Sequence, residues 1–174
     1  MLTLASSPSR FKVMDSAIRP KLQVFFASKG IRLTSQREAI IEAAFGTNRH
    51  FTAEELLDMA REKDASVSRA TVYRTLPLLV ESGLIKEMDF GKAYKFYDPN
   101  YATHPNHNHL ICVDCDKIVE FEDPIIEKRE NEISRSLGFL PENKSVQIRA
   151  TCQELKDSGT CTNKTHCEKN LSKH

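Results

Sequence analysis

The sequence predicts an α+β chain in two parts: a helical N-terminal domain that closes with a hairpin, and a small α/β domain behind it. Three observations carry this. Up to Gly83, apolar residues recur at helical spacing in four stretches separated by capping signals. From Leu84 to Asp98, two short runs flank Phe90-Gly91-Lys92 as the arms of a hairpin flank its turn. From His107 onward, strand-like runs surround a Cys112-x-x-Cys115 turn, and one more helical stretch follows.

Size and composition agree with this division. A chain of 174 residues with 40% hydrophobic content can bury a real core, as one domain or two small ones. Residues 1–98 carry 15 Lys/Arg against 12 Asp/Glu, and the remainder 10 against 12. This mild asymmetry points an anionic partner towards the front of the chain. The first residues hold no continuous apolar region, and no run of about eighteen apolar residues occurs. Neither a signal peptide nor a membrane span is expected, and the expected location is the cytoplasm. There the 5 cysteines suit metal or redox chemistry better than disulfides, and their odd number leaves one over.

Taken in order, residues 1–15 have no period and read as a flexible arm, with Arg10 and Lys12 as its basic members. Ile18, Leu22, Phe25 and Phe26 predict a helix over 16–29, with Gly30 as the residue that stops it. Ser35-Gln-Arg-Glu38 and Thr52-Ala-Glu-Glu55 are capping-box patterns, each leading into an apolar run: Ala39, Ile40 and Ala43, then Leu56, Leu57 and Ala60. Ser68 opens a fourth helix with Val72, Leu76, Leu79 and Val80 on its buried face, and Gly83 ends it. Pro77 removes a donor to the Tyr73 carbonyl, so a bend or an early end is expected there. Helices followed by a hairpin over residues 16–98 have the order of a winged helix-turn-helix. In that motif the last helix lies in the major groove and the hairpin flanks the phosphate backbone.

Residues 99–105 read as the linker and 106–174 as the second domain. Strands are expected over His107–Cys112 and Lys117–Phe121. A helix should start with Asp123 as N-cap and Pro124 in its first turn, end at Gly138, and carry Ile125, Ile126, Ile133 and Leu137 as its apolar members. Val146, Ile148 and Ala150 alternate as in a strand over Ser145–Thr151. Strand, strand, helix, strand makes a domain too small to be comfortable as a monomer.

Three residue sets carry chemistry. Cys112 and Cys115, with Cys152 and one of Cys161 or Cys167, offer four thiolates for a closed, structural zinc site; Cys161, the nearer, is the expected fourth. The competing reading, a dithiol redox pair, ordinarily sits at the start of a helix, whereas this pair lies between strands. The second set is imidazole and carboxylate. His107 and His109 fall on one strand face, Glu120 on the next strand, Asp98 ends the hairpin and His50 precedes the third helix. Ligands of this kind without sulfur suit iron(II), manganese(II) or zinc. His104 stands outside both sets. The third set is the exposed side of the fourth helix, where Arg69 and Arg74 suit phosphates or guanine edges and Thr71 and Tyr73 suit bases. A catalytic zinc would need an open coordination position and a general base, and no motif supplies them, so no enzyme is expected.

Ala70-Thr-Val-Tyr-Arg-Thr-Leu76, His107-Asn-His-Leu-Ile-Cys-Val-Asp-Cys115 and Lys117-Ile-Val-Glu-Phe121 together resemble the ferric uptake regulator (Fur) family of bacterial metal-responsive repressors. The resemblance runs over about residues 20–152. It implies an N-terminal winged helix that binds operator DNA, a C-terminal domain that forms the homodimer, and repression in the metal-loaded state. Residue by residue it implies His50, Asp98, His107, His109 and Glu120 as the sensory metal site, and Cys112, Cys115 and Cys152 as structural zinc ligands. Tyr73 and Arg74 match the recognition helix, and Arg32 the basic position of a loop that reaches towards the minor groove. Two departures have consequences. Asn106, Asn108 and Lys144 stand where many members hold the ligands of a further site, leaving only Glu127, so that site is expected to be absent. Glu120 stands where peroxide-sensing members have aspartate, which points to iron sensing, with manganese or zinc as other ions such a site accepts.

Overall fold

The computed structural model describes residues 3–4, 16–100, 107–142 and 144–161. In chain order its elements are β1 (Thr3–Leu4), α1 (Ile18–Ser28), α2 (Ser35–Phe45), α3 (Ala53–Lys63), α4 (Arg69–Glu81), β2 (Lys86–Met88), β3 (Phe96–Asp98), β4 (Asn108–Cys112), β5 (Ile118–Glu122), α5 (Pro124–Ser136), β6 (Gln147–Ala150) and α6 (Gln153–Ser158). The chain divides into two compact units, one within residues 7–105 and one within 106–174 that also takes in residues 1–6. The arm at residues 5–15, together with His104, Asn106 and Cys167, lies outside the described residues.

In the first unit, α1 ends in a Schellman turn. Gly30 adopts a φ of +67°, its N–H reaches Ala27 O and the Ile31 N–H reaches Phe26 O, which satisfies carbonyls the helix end would leave open. The capping box at Thr52 is complete: Glu55 N–H donates to Thr52 Oγ1 (3.2 Å) and Thr52 N–H to Glu55 Oε2 (2.7 Å). The one expected at Ser35 does not form, and a simple cap one residue earlier takes its place. Thr34 holds the extended backbone an N-cap needs and accepts from Arg37 N–H, while Ser35 is already helical. Thr52→Ala is therefore expected to cost about 1 kcal/mol in denaturant unfolding, and Ser35→Ala less than about 0.5 kcal/mol. Equal losses would return the cap to Ser35.

The four helices enclose one core built on Leu22, Phe26, Ile40, Leu56, Val72, Leu76 and Leu79. Pro77 does not end α4, which runs on to Glu81. Leu76 and Leu79, on either side of the proline, are fully buried and hold both halves against the core, so packing outweighs the one backbone hydrogen bond that proline forfeits. The hairpin β2–β3 is shorter than its apolar pattern, pairing Lys86 with Asp98 and Met88 with Phe96. A single bridge between Phe51 and Tyr97 extends it, with hydrogen bonds of 3.2 and 2.8 Å and stacked rings.

The second unit is a sheet in the order β1-β5-β4-β6. β4 and β5 are antiparallel, whereas β6 runs parallel to β4. Two elements were not anticipated: β1, whose Thr3 and Leu4 pair with Glu122 and Phe121, and α6. Asp123 caps α5 as expected, its Oδ1 accepting from Ile125 N–H at 2.7 Å. Yet α5 buries no residue, and Ile125, Ile133 and Leu137 are exposed in the single chain.

Candidate metal centres and nucleic-acid face

The thiol cluster grows out of the β4–β5 turn. Cys112 ends β4, where its N–H reaches Lys117 O and its carbonyl accepts from Asp116 N–H; Asp116 takes a φ of +58° to close the turn. The parallel ladder pairs Cys112 with Ala150, so Cys152 arrives two residues past the end of β6. There it caps α6, and its N–H donates to Asp114 Oδ2 at 2.6 Å. Gly159, at φ +71°, turns the chain back and returns Cys161 to within 3.8 Å of Cys152, sulfur to sulfur. Cys112, Cys115 and Cys161 are buried together, with Cys152 and Leu155 packed on them. Burial pushes the Cys115 thiol up to about 11, and neighbouring Cys112 and Cys161 add to the rise. Four cysteine sulfurs drawn together in one buried cluster form a donor set that fits a divalent cation such as zinc. Glu154 offers a carboxylate oxygen within 4.8 Å of the Cys152 and Cys161 sulfurs.

The imidazole set of this unit follows from strand geometry. His109 pairs directly with Glu120 across the β4–β5 ladder, which puts both on one face. His107, two residues earlier, lies on that same face. Its ring centre is 4.5 Å from that of His109, and its Nε2 is 3.9 Å from Glu120 Oε1. Asn108 faces the other way, where its Oδ1 accepts from Val146 N–H at 2.9 Å and so positions the start of β6. Lys144 places its ammonium 3.1 Å from Asn131 Oδ1 and 3.5 Å from Glu127 Oε1.

His50 and Asp98 form a pair of their own in the first unit. One step beyond the antiparallel Phe51–Tyr97 bridge sets His50 opposite Asp98, and the two offer ligand atoms within 4.8 Å of each other. Asp98 Oδ1 accepts from Asn100 N–H at 2.8 Å, and the Asn100 amide donates to Asn48 O, which fixes the carboxylate.

On α4, Arg69, Tyr73 and Arg74 are exposed, as is Arg32 in the loop after α1. Thr71 is turned inward: its hydroxyl meets Gln36 Oε1 and Ser68 Oγ at 2.8 Å each. Tyr73 donates to Glu54 Oε1 at 3.0 Å, and Arg69 pairs with Glu54 Oε2 at 2.9 Å. Sequence reasoning missed Glu54, Gln36 and Asp114. Only Asp114, an acid inside the Cys-x-x-Cys turn, carries a signal that could have found it.

Residues 28–149 match the ferric uptake regulator family. The chain belongs to that family. It is 38% identical over 136 residues to the ferric uptake regulation protein of Campylobacter jejuni, covering 77% of this chain and 82% of that protein. It is also 36% identical over 125 residues to the peroxide operon regulator of Bacillus subtilis, covering 72% and 84%. Among solved structures, the Helicobacter pylori ferric uptake regulator Fur, described as having three functional metal binding sites, aligns with a TM-score of 0.76 at 27% identity. That alignment covers 88% of this chain and all of that one. As a Fur-family chain it is a metal-responsive regulator with an α+β fold. Among the described residues, no helix is long and apolar enough to cross a membrane.

Proposed function

We propose that this Fur-family regulator is an iron(II)-responsive repressor that binds operator DNA as a homodimer. The observation that carries the reading is the sulfur-free set His107, His109 and Glu120 on one sheet face, in a chain whose α4 also exposes Arg69, Tyr73 and Arg74. With His50 and Asp98, these residues would hold the sensory ion, and Cys112, Cys115, Cys152 and Cys161 a structural zinc. A divalent ion would supply, when bound, positive charge at each donor set. Loading shifts the population towards the DNA-binding arrangement only by the difference in the ion's affinity for the two arrangements.

The homodimer reading rests on exposed apolar residues from α5 to β6. Ile125, Ile133, Leu137, Phe139, Leu140 and Ile148 are all exposed, Leu140 at 84%. Apolar exposure of this kind on a small unit calls for a cover, and a second copy supplies one.

Metal content of the purified protein, followed by fluorescence anisotropy on duplex DNA with iron(II), manganese(II) or zinc, tests the proposal. Binding should tighten most with iron(II) under anaerobic conditions; tightening by zinc alone would transfer the chain to the zinc sensors. The likeness to the Bacillus subtilis peroxide operon regulator favours a second reading, peroxide sensing. Under it, mass spectrometry after peroxide treatment of the iron-loaded protein would find His50 or His107 oxidised.

A further inference from the structure

We propose that Glu54 is a specificity-determining residue of the DNA-reading face, fixing the hydrogen-bond polarity of Tyr73 and taking up part of the charge of Arg69. The inference rests on the reading of α4 as the DNA-binding helix. A tyrosine hydroxyl has one proton to donate and lone pairs to accept with. In this chain that proton is directed at Glu54 Oε1, 3.0 Å away, while Arg69 holds the second carboxylate oxygen at 2.9 Å. Glu54 sits in the first turn of α3, where the positive end of the helix favours a carboxylate. The carboxylate is thus held from both sides, and the hydrogen bond from Tyr73 to it raises the phenol pKa.

Tyr73 is itself 52% exposed, and its oxygen keeps lone pairs with which to accept. With the proton committed, the hydroxyl offers the groove an acceptor. In the major groove, adenine N6 and cytosine N4 are donors, whereas guanine O6 and N7 and thymine O4 are acceptors. A latched Tyr73 selects adenine or cytosine edges and disfavours the other two. Arg69, with one nitrogen engaged by a carboxylate, also neutralises less phosphate than a free guanidinium. Removing Glu54 changes both properties at once. The hydroxyl can then rotate to donate or accept, and Arg69 is released towards the backbone.

The test uses the full-length, metal-loaded protein with a randomised duplex library, followed by anisotropy on single-base variants of the selected sequence at several salt concentrations. E54A should flatten the preference at one base position by about fivefold or more. It should also steepen the salt dependence by about one phosphate contact. E54Q, whose single carbonyl oxygen is claimed by Arg69 and whose amide N–H then faces Tyr73, should also flatten the preference and steepen the salt dependence. In a Y73F background, E54A should have no further effect on base preference. Unchanged preference and unchanged salt slope in E54A would overturn the proposal, as would flattening that persists with Y73F. A wild-type protein that selects no sequence from the library would instead overturn the DNA-binding reading, and this inference with it.

Discussion

Replacing Cys112 by serine is expected to strip zinc from the protein and unfold the second unit. Among its described residues, the buried apolar side chains are Ile111, Phe121 and the three cysteines Cys112, Cys115 and Cys161. α5 buries nothing, most of β6 is exposed, and Cys112, Cys115 and Cys161 form a buried cluster with Cys152 and Leu155 packed against it. A four-thiolate zinc is worth on the order of 10 kcal/mol or more, comparable to the whole stability of a small domain. Loss of one ligand should therefore lower zinc content, lower the melting temperature by tens of degrees and dissociate the dimer. Metal analysis, circular dichroism and sedimentation measure these outcomes; a zinc-free chain that stays folded and dimeric contradicts the structural role. The pH dependence has a definite sign. In the metal-free protein the Cys115 thiol stays protonated until the pH approaches about 11. Binding must displace that proton, so zinc affinity should fall by about tenfold per pH unit on acidification for each such thiol. Alkylation of Cys115 in the metal-free protein should likewise be slow at neutral pH and accelerate above it.

What was legible in the sequence followed from local rules. His107 and His109 share a face because strand side chains alternate, and the complete box at Thr52 could be read from four residues. The Ser35 box gives way to a simple cap at Thr34, because both residues suit an N-cap and only the backbone conformation of Thr34 separates them. Pro77 does not end α4 early, because its cost is local while the burial of Leu76 and Leu79 that outweighs it is tertiary. β1 was invisible, since two residues have no period and their strand exists only through pairing with β5. The apolar stripe of α5 was read correctly as a stripe, but periodicity says that a face wants cover and not what covers it. The choice of Cys161 followed chain distance, while its approach to Cys152 depends on a six-residue helix and the left-handed turn at Gly159.

Changing His107 to alanine is expected to abolish metal-dependent DNA binding while leaving zinc content and the dimer unchanged. The separation follows from where the two donor sets sit. His107 precedes β4 and takes no part in its ladder to β5, so its removal spares the pairs from Asn108 with Phe121 to Ile111 with Ile118. The thiol cluster begins only at the far end of that strand, at Cys112. Loss of one imidazole from an iron(II) set weakens the ion by about tenfold or more, on the scale of ligand-supporting changes. It also removes part of the difference in affinity that drives the shift between arrangements. Basal binding to random duplex DNA should survive, because it depends on the charges of α4 and not on the ion. Anisotropy with and without iron(II), beside zinc analysis of the same sample, separates the outcomes. A variant that keeps its full metal response removes His107 from the sensory site. One that loses zinc as well would mean that the two ends of β4 are not independent, and that the sensory site and the structural zinc site are a single structure.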